Sequence, residues 1–327
     1  MLYPLKFHPI LKEKIWGGDY LYKNLGKGDN PKAKVGETWE ISSVEGDVSV
    51  VANGALKGNS LNELIEVYMG DLVGEKVYEK HGLELPVLVK IIDARADLSV
   101  QVHPNEAHAN KKYHAHGKTE MWYVIDAEKG AKIVSGFDKN TSRDEVEQAV
   151  AQKNLEKLLR ADASYPGDVF FIPAGRVHTI GAGNVLVEIQ QTSDITFRIY
   201  DYDRRDEQGN ARELHLEEAL EVLDYKAQDN YKTAYQADIN QPVNLAKCEY
   251  FTTNFFSFDQ KLGRDYYFLD SYVILICTEG AFTIEYEEGD SVPVQKGESI
   301  LLPAAIREYF FNPQTAKASF IETYLEL

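Results

Sequence analysis

Gln101-Val102-His103 closes a strand-like run, and the two-residue period of an extended chain turns Gln101 and His103 to one face with Val102 on the other. Lys118-Thr119-Glu120 repeats the arrangement at the start of Met121 to Ile125, so Lys118 and Glu120 share a face as well. His178 is presented five residues after Pro173. Two imidazoles, one carboxylate and one amide oxygen form a mixed nitrogen and oxygen set suited to a divalent first-row metal, with positions left open for substrate. No cysteine takes part, because Cys248 and Cys277 stand in neither a metal nor a redox spacing. His8, His81, His108, His114, His116 and His215 lie outside these patterns and read as structural or surface residues.

The segments around the set carry a resemblance. Gly-x5-Pro-x-Gly-x2-His, met by Gly167, Pro173, Gly175 and His178, is similar to the second motif of the cupin superfamily. Gln101-x-His103 with Glu120 resembles the first motif, with glutamine where a first histidine is usual. That glutamine resembles the type I mannose-6-phosphate isomerases, the zinc-dependent phosphomannose isomerases, in their short bacterial form. Further matches are Lys14-Ile15-Trp16-Gly17-Gly18, GETWEIS (36–42), LSVQVHPNEAHA (98–109), GKTEMWYV (117–124), PAGRVHTIGAG (173–183) and EIQQTSDITFRIYDYDR (188–204). The resemblance covers most of residues 1–205. It implies one zinc per chain held by Gln101, His103, Glu120 and His178, with Arg198 as an active-site arginine. The implied reaction interconverts mannose 6-phosphate and fructose 6-phosphate through a cis-enediol.

Such a reaction needs an electrophile, a base and an anchor for an anion, and the neighbouring residues are read against those needs. Thr196, Arg198 and Tyr200 share one strand face, so Arg198 is expected inward with the metal, where its planar guanidinium suits an enediolate oxygen or a sugar phosphate. Glu188 shares a face with Leu186 and Gln190 and is the candidate general base, burial raising its pKa; the competing reading is a structural partner of Arg198 or Lys118. Lys118 aids ring opening, contacts phosphate or balances the carboxylates, and Lys90 carries the same alternatives. Trp16 and Trp39 read as pocket wall or core.

The elements that position these residues are mostly strands. Twenty Tyr and 14 Phe, with short alternating runs bounded by Gly, Pro, Asn and Asp, favour a mainly β fold. Capping-box spacings at Ser60/Glu63 and Ser142/Glu145 open helices, the second stretch, over roughly 143–160, reading as one or two helices; further helices are expected at Gly74 to His81 and about Leu214 to Leu223. An internal repeat aligns Gly167 to His178 with Gly297 to Glu308, putting Glu where the first copy has His178. Counting ten residues back from Gly130 and Gly280 aligns Glu120 with Asp270. The expectation is two cupin-type β-barrel (jelly-roll) modules: a catalytic domain over 1–225 with helical insertions, and a degenerate domain over 226–327 without a metal site.

Composition narrows the partners. The charge sum of 35 − 52 gives −17, which repels polyanions, so nucleic acid is not an expected partner and a small sugar phosphate is. The longest apolar stretches, such as YVILIC (272–277), fall far short of the roughly 20 residues a membrane helix needs, so no membrane association and a cytoplasmic location are expected. The competing functions are a metal-dependent cupin oxygenase and a non-catalytic sugar-binding or regulatory cupin.

Overall fold

The computed structural model describes residues 1–327 apart from Pro31, Glu207 and Glu288. The chain gathers into two compact units, one formed by Met1–Ile10, Trp39–Val89 and Ala234–Leu327, the other by Leu11–Thr38 and Lys90–Thr233. The fold is mainly β, in sheets of jelly-roll type.

All seven candidate site residues belong to the second of these units. One of its sheets runs Leu159–Ala163, Lys132–Phe137, His178–Ile180, Val100–Val102, Phe197–Tyr200. The sheet that contains Glu120 and Glu188 runs Val169–Ile172, Glu120–Ala127, Asn184–Gln191, Val87–Ala94, Val35–Ile41, Ile10–Gly18. Alternation sets the faces. Val100, Val102, Phe197 and Ile199 pack with Ala219, Leu220 and Leu223 around the helix Leu216–Val222. Each such burial stabilises by about 1.5–3 kcal/mol, so a one-residue slip, which would turn this apolar set to the other face, is strongly disfavoured. Gln101 and Arg198, cross-strand partners between those apolar positions, are thereby left together on the opposite face.

The repeat is structural as well as sequential. Ser299–Leu302, Val273–Glu279 and Ala318–Tyr324 are adjacent in one sheet, as Val169–Ile172, Glu120–Ala127 and Asn184–Gln191 are in the other unit. Glycines at φ 91° and 85°, Gly167 and Gly297, lead into the matching strands. Register corrects one equivalence: Ile172 pairs with Glu120 and Leu302 with Val273, so Val273 stands in Glu120's place and Asp270 does not. The connection after Glu120–Ala127 takes four residues and the one after Val273–Glu279 takes Gly280 alone, so counting from the glycines misaligned the strands by three. Asp270 instead caps the helix Glu75–His81, accepting from Glu75 N at 2.8 Å and Lys76 N at 3.1 Å.

Both capping boxes form, ahead of Leu61–Tyr68 and Arg143–Ala151. The stretch expected to hold one or two helices holds two, Arg143–Ala151 and a short 3-10 helix Leu155–Leu158, separated where Lys153 enters the left-handed region at φ 53° and ended where Leu159 pairs with Phe137 in a sheet. The helix Glu106–Tyr113 was not expected. Only Ala109 of it is buried, so it shows no apolar period, and Asn105 caps it by accepting from His108 N at 2.9 Å.

Candidate metal centre

Three side chains from three strands or strand ends meet in the interior. His178 opens its strand opposite Gln101, and Glu120 opens another opposite Ile172 and Gln190. The turn before His178 is fixed by Gly175, at φ 87°, whose amide donates to His103 O at 2.9 Å and whose absent Cβ would meet Val222 O at 2.9 Å. This glycine therefore ties the two histidine segments together.

Both imidazoles are oriented by backbone carbonyls, His103 Nδ1 at 2.9 Å from Ile195 O and His178 Nδ1 at 2.8 Å from Arg176 O. A carbonyl only accepts, so each Nδ1 carries the proton and each Nε2 turns a lone pair inward. His178 Nε2 lies 3.3 Å from Glu120 Oε1 and His103 Nε2 3.5 Å from Glu120 Oε2. The donor atoms of the trio all fall within 4.8 Å of one another, and all three residues are buried. His103 Nε2 and Glu120 Oε1 are enclosed without a hydrogen-bond partner among the described residues, and Glu120 Oε2 faces the Lys118 ammonium. Buried acceptors left unsatisfied in this way are costly for a protein that binds nothing, and they match the donor set of a divalent zinc-like cation.

Electrostatics point the same way. Burial holds His103 well below the ordinary imidazole range, and burial takes His178 down to about 3, so neither carries a proton that a metal must displace. Burial, then the Glu188 carboxylate, push Glu120 up to about 7 against the pull of Lys118, whose Nζ lies 3.1 Å from Glu120 Oε2. Glu188 goes the other way. Burial would raise it, but Lys90, Lys118 and the Trp122 indole N–H outweigh burial and hold it at about 2. Lys90 Nζ donates to its Oε1 at 3.1 Å and Trp122 Nε1 to its Oε2 at 2.8 Å.

Residues 4–139 match the family model of the type I phosphomannose isomerase catalytic domain, and residues 242–316 that of the mannose-6-phosphate isomerase cupin domain. Mannose-6-phosphate isomerase ManA of Bacillus subtilis is 37% identical over 315 residues, 94% of this chain and 95% of its own. The mannose-6-phosphate isomerase of Streptococcus mutans is 35% identical over 95% of this chain and 96% of its own. The chain belongs to the type I phosphomannose isomerases. The crystal structure of the mannose 6-phosphate isomerase from Bacillus subtilis superimposes with a TM-score of 0.86 at 30% identity, covering 98% of this chain and 99% of that one.

Within this phosphomannose isomerase fold, the residues singled out by sequence are distributed as follows. His103, Glu120 and His178 converge, and Lys118 touches Glu120. Gln101 lies beside them with Nε2 3.3 Å from His178 Nε2 and Oε1 3.5 Å from Ser99 Oγ; a half-turn of the amide exchanges the two atoms. Arg198 is half-buried opposite Gln101 and donates from Nη1 to Glu213 O at 2.7 Å. The raised pKa expected for Glu188 is corrected, since its cation partners reverse the effect of burial. Trp16 packs in a core cluster with Trp122 and Leu186. Reading the sequence missed Trp122 as a partner of Glu188, although its position two residues after Glu120 on the same strand face was the available signal.

Proposed function

We propose that this chain is a zinc-dependent aldose–ketose isomerase that interconverts mannose 6-phosphate and fructose 6-phosphate through a cis-enediol of the open-chain sugar. What carries this reading is the buried trio His103, Glu120 and His178, with its inward lone pairs and enclosed carboxylate, in a chain of this family. One zinc per chain would be held by these three with the Gln101 amide oxygen as a fourth donor. Bound there, zinc would supply a Lewis acid that polarises a substrate oxygen, an effect worth several kcal/mol.

The remaining work falls to the protein's own groups. Lys118, buried beside Glu120, is placed to exchange a proton with a sugar oxygen during ring opening and proton transfer. Arg198, on the same sheet face as Gln101, meets the anionic part of the substrate. Glu188, held ionised with both oxygens engaged, is assigned to fix Lys90 and the Trp122 indole and to set the charge balance of the floor, in place of the general base expected from sequence. Catalysis is assigned to residues 1–225 and a degenerate, metal-free module to 226–327, where Val273 stands in Glu120's place by register and Glu308 in that of His178 by the sequence repeat. Among the described residues no helix is long and apolar enough to cross a membrane.

A coupled assay that follows fructose 6-phosphate formation from mannose 6-phosphate, with and without chelator, tests the reading. Turnover that chelator removes and zinc restores is expected. Well-folded protein without chelator-sensitive turnover refutes it.

A further inference from the structure

Arg198 is held from behind by the segment Arg212–His215. Its Nη1 donates to Glu213 O at 2.7 Å, its backbone N donates to His215 Nδ1 at 3.3 Å, and its backbone O accepts from His215 N at 2.8 Å. That segment is in turn tied to one buried carboxylate. Asp201 accepts from Arg212 Nε at 2.8 Å on Oδ2 and from Arg212 Nη2 and Arg204 Nη2, each at 2.5 Å, on Oδ1. The bidentate fork fixes Arg212 in angle as well as distance.

Two further observations indicate that this knot serves the site as well as the fold. Tyr202 and Asp203, directly after Asp201, both adopt the left-handed conformation, at φ 57° and 53°, which residues with side chains avoid and which clusters at functional sites. Arg198 Nε is enclosed without a hydrogen-bond partner among the described residues, and three guanidiniums, of Arg198, Arg204 and Arg212, face only the two carboxylates of Asp201 and Glu213 in this cluster. The cluster therefore has a donor and positive charge to spare for an anion.

We propose that Asp201 is a positioning residue for the isomerase reaction: through Arg212 it holds the segment whose Glu213 carbonyl aims the Arg198 guanidinium at the anionic part of the substrate. This rests on the assignment of Arg198 to substrate made above. A double-mutant cycle on the full-length, zinc-loaded enzyme tests it. Asp201→Asn is expected to lower kcat/KM about 10- to 100-fold, the scale of a misplaced group, with zinc content unchanged. The loss should appear in whichever parameter, kcat or KM, Arg198→Lys moves. In the Arg198→Lys background Asp201→Asn should add less than about two-fold, because the group it acts through has been replaced. Losses that multiply in the double variant, a shift in the other parameter, or loss of zinc each overturn the proposal. If Asp201→Asn gives no cooperative melting transition, Arg212→Lys replaces it in the same cycle, with the same supporting and refuting outcomes. Arg198→Lys with undiminished kcat/KM refutes the Arg198 assignment and this inference with it, while wild-type protein without turnover refutes the isomerase reading itself.

Discussion

Glu120→Gln should have opposite effects on stability with and without metal. In the metal-free protein burial and Glu188 raise the carboxyl from 4.5 to about 7. That rise corresponds to at most about 3 kcal/mol of instability once the group is ionised at pH 8. Glutamine removes the charge but brings an N–H pair that must find acceptors, a cost of about 1–2 kcal/mol, so a net gain of about 1–2 kcal/mol is expected for the variant in chelator. The sign follows from the raised pKa: the contribution of Glu120 to stability is full below about pH 4.5 and is lost as pH rises through 7, so in acid the advantage of the metal-free variant should vanish and the wild type should become the more stable by the amide cost of about 1–2 kcal/mol. Zinc at 1,000 times its dissociation constant should stabilise the wild type by about 4 kcal/mol and the variant far less. Urea unfolding at pH 8, with chelator and with zinc, should therefore show the order of stability inverting. A variant that is less stable than wild type in chelator, or equally stabilised by zinc, refutes the argument that this carboxylate is kept for a cation.

Four other substitutions follow from the same coordinates. His178→Ala removes one of three inward donors and leaves Arg176 O without its partner, so metal analysis should show zinc lost and kcat/KM down more than about 100-fold, for about 1–3 kcal/mol of stability; retention of one zinc per chain would contradict the ligand assignment. Glu188→Gln removes the carboxylate 3.1 Å from the buried Lys90 ammonium and should cost about 3–5 kcal/mol by denaturant titration. Because Glu188 stays ionised down to about pH 2, the acid limb of the pH–rate profile above pH 4 should be the same in the folded variant, and a displaced limb would restore Glu188 as the base. Asp93, raised from 3.8 to about 6 by burial, takes away stability as pH rises between those values; Asp93→Asn should flatten that slope by about 1–2 kcal/mol after allowing for solvent screening, and parallel curves for the two proteins would count against it. Glu322→Gln, breaking the pair with Arg264 2.8 Å away, should cost about 3–5 kcal/mol while the folded fraction keeps kcat/KM within about two-fold; a larger kinetic loss would tie that residue to catalysis.

The parts of this molecule legible in its sequence are those governed by short-range rules. A period of two put Gln101 and His103 on one face, and capping boxes placed the starts of two helices at Ser60 and Ser142, where they are found. What escaped depends on distant pairing. The end of the helical stretch opened by Ser142 is set by Leu159 joining Phe137 across the sheet, and no local residue announces that. Glu106–Tyr113 is polar nearly all round, so only its Asn105 cap spoke for it. The pKa of Glu188 was misjudged for the same reason. Burial is readable from alternation, but whether Lys90, 98 residues away, supplies a counter-charge is decided only by folding.

The internal repeat separates what the fold requires of this interior from what the metal requires. Register pairs Glu188 with Trp122 and Glu322 with Leu275, in strand pairs that correspond between the two units. The copy that has Val273 for Glu120 and Glu308 for His178 has thus kept an inward glutamate. Glu322 accepts from Arg264 Nη2 at 2.8 Å, Tyr266 Oη at 2.7 Å and Asn254 Nδ2 at 2.9 Å, as Glu188 accepts from Lys90 and Trp122. A buried carboxylate is tolerated only with a cation and hydrogen bonds around it, and each unit supplies them with different residues. Because the glutamate–cation pair occurs where two of the three donor positions have changed, it belongs to the jelly-roll interior itself. The difference between the copies then falls on Glu120 and His178: Glu120 Oε2 has the Lys118 ammonium at 3.1 Å, but Glu120 Oε1 stays enclosed without a partner among the described residues, and this contrast within one chain supports the proposed metal site there.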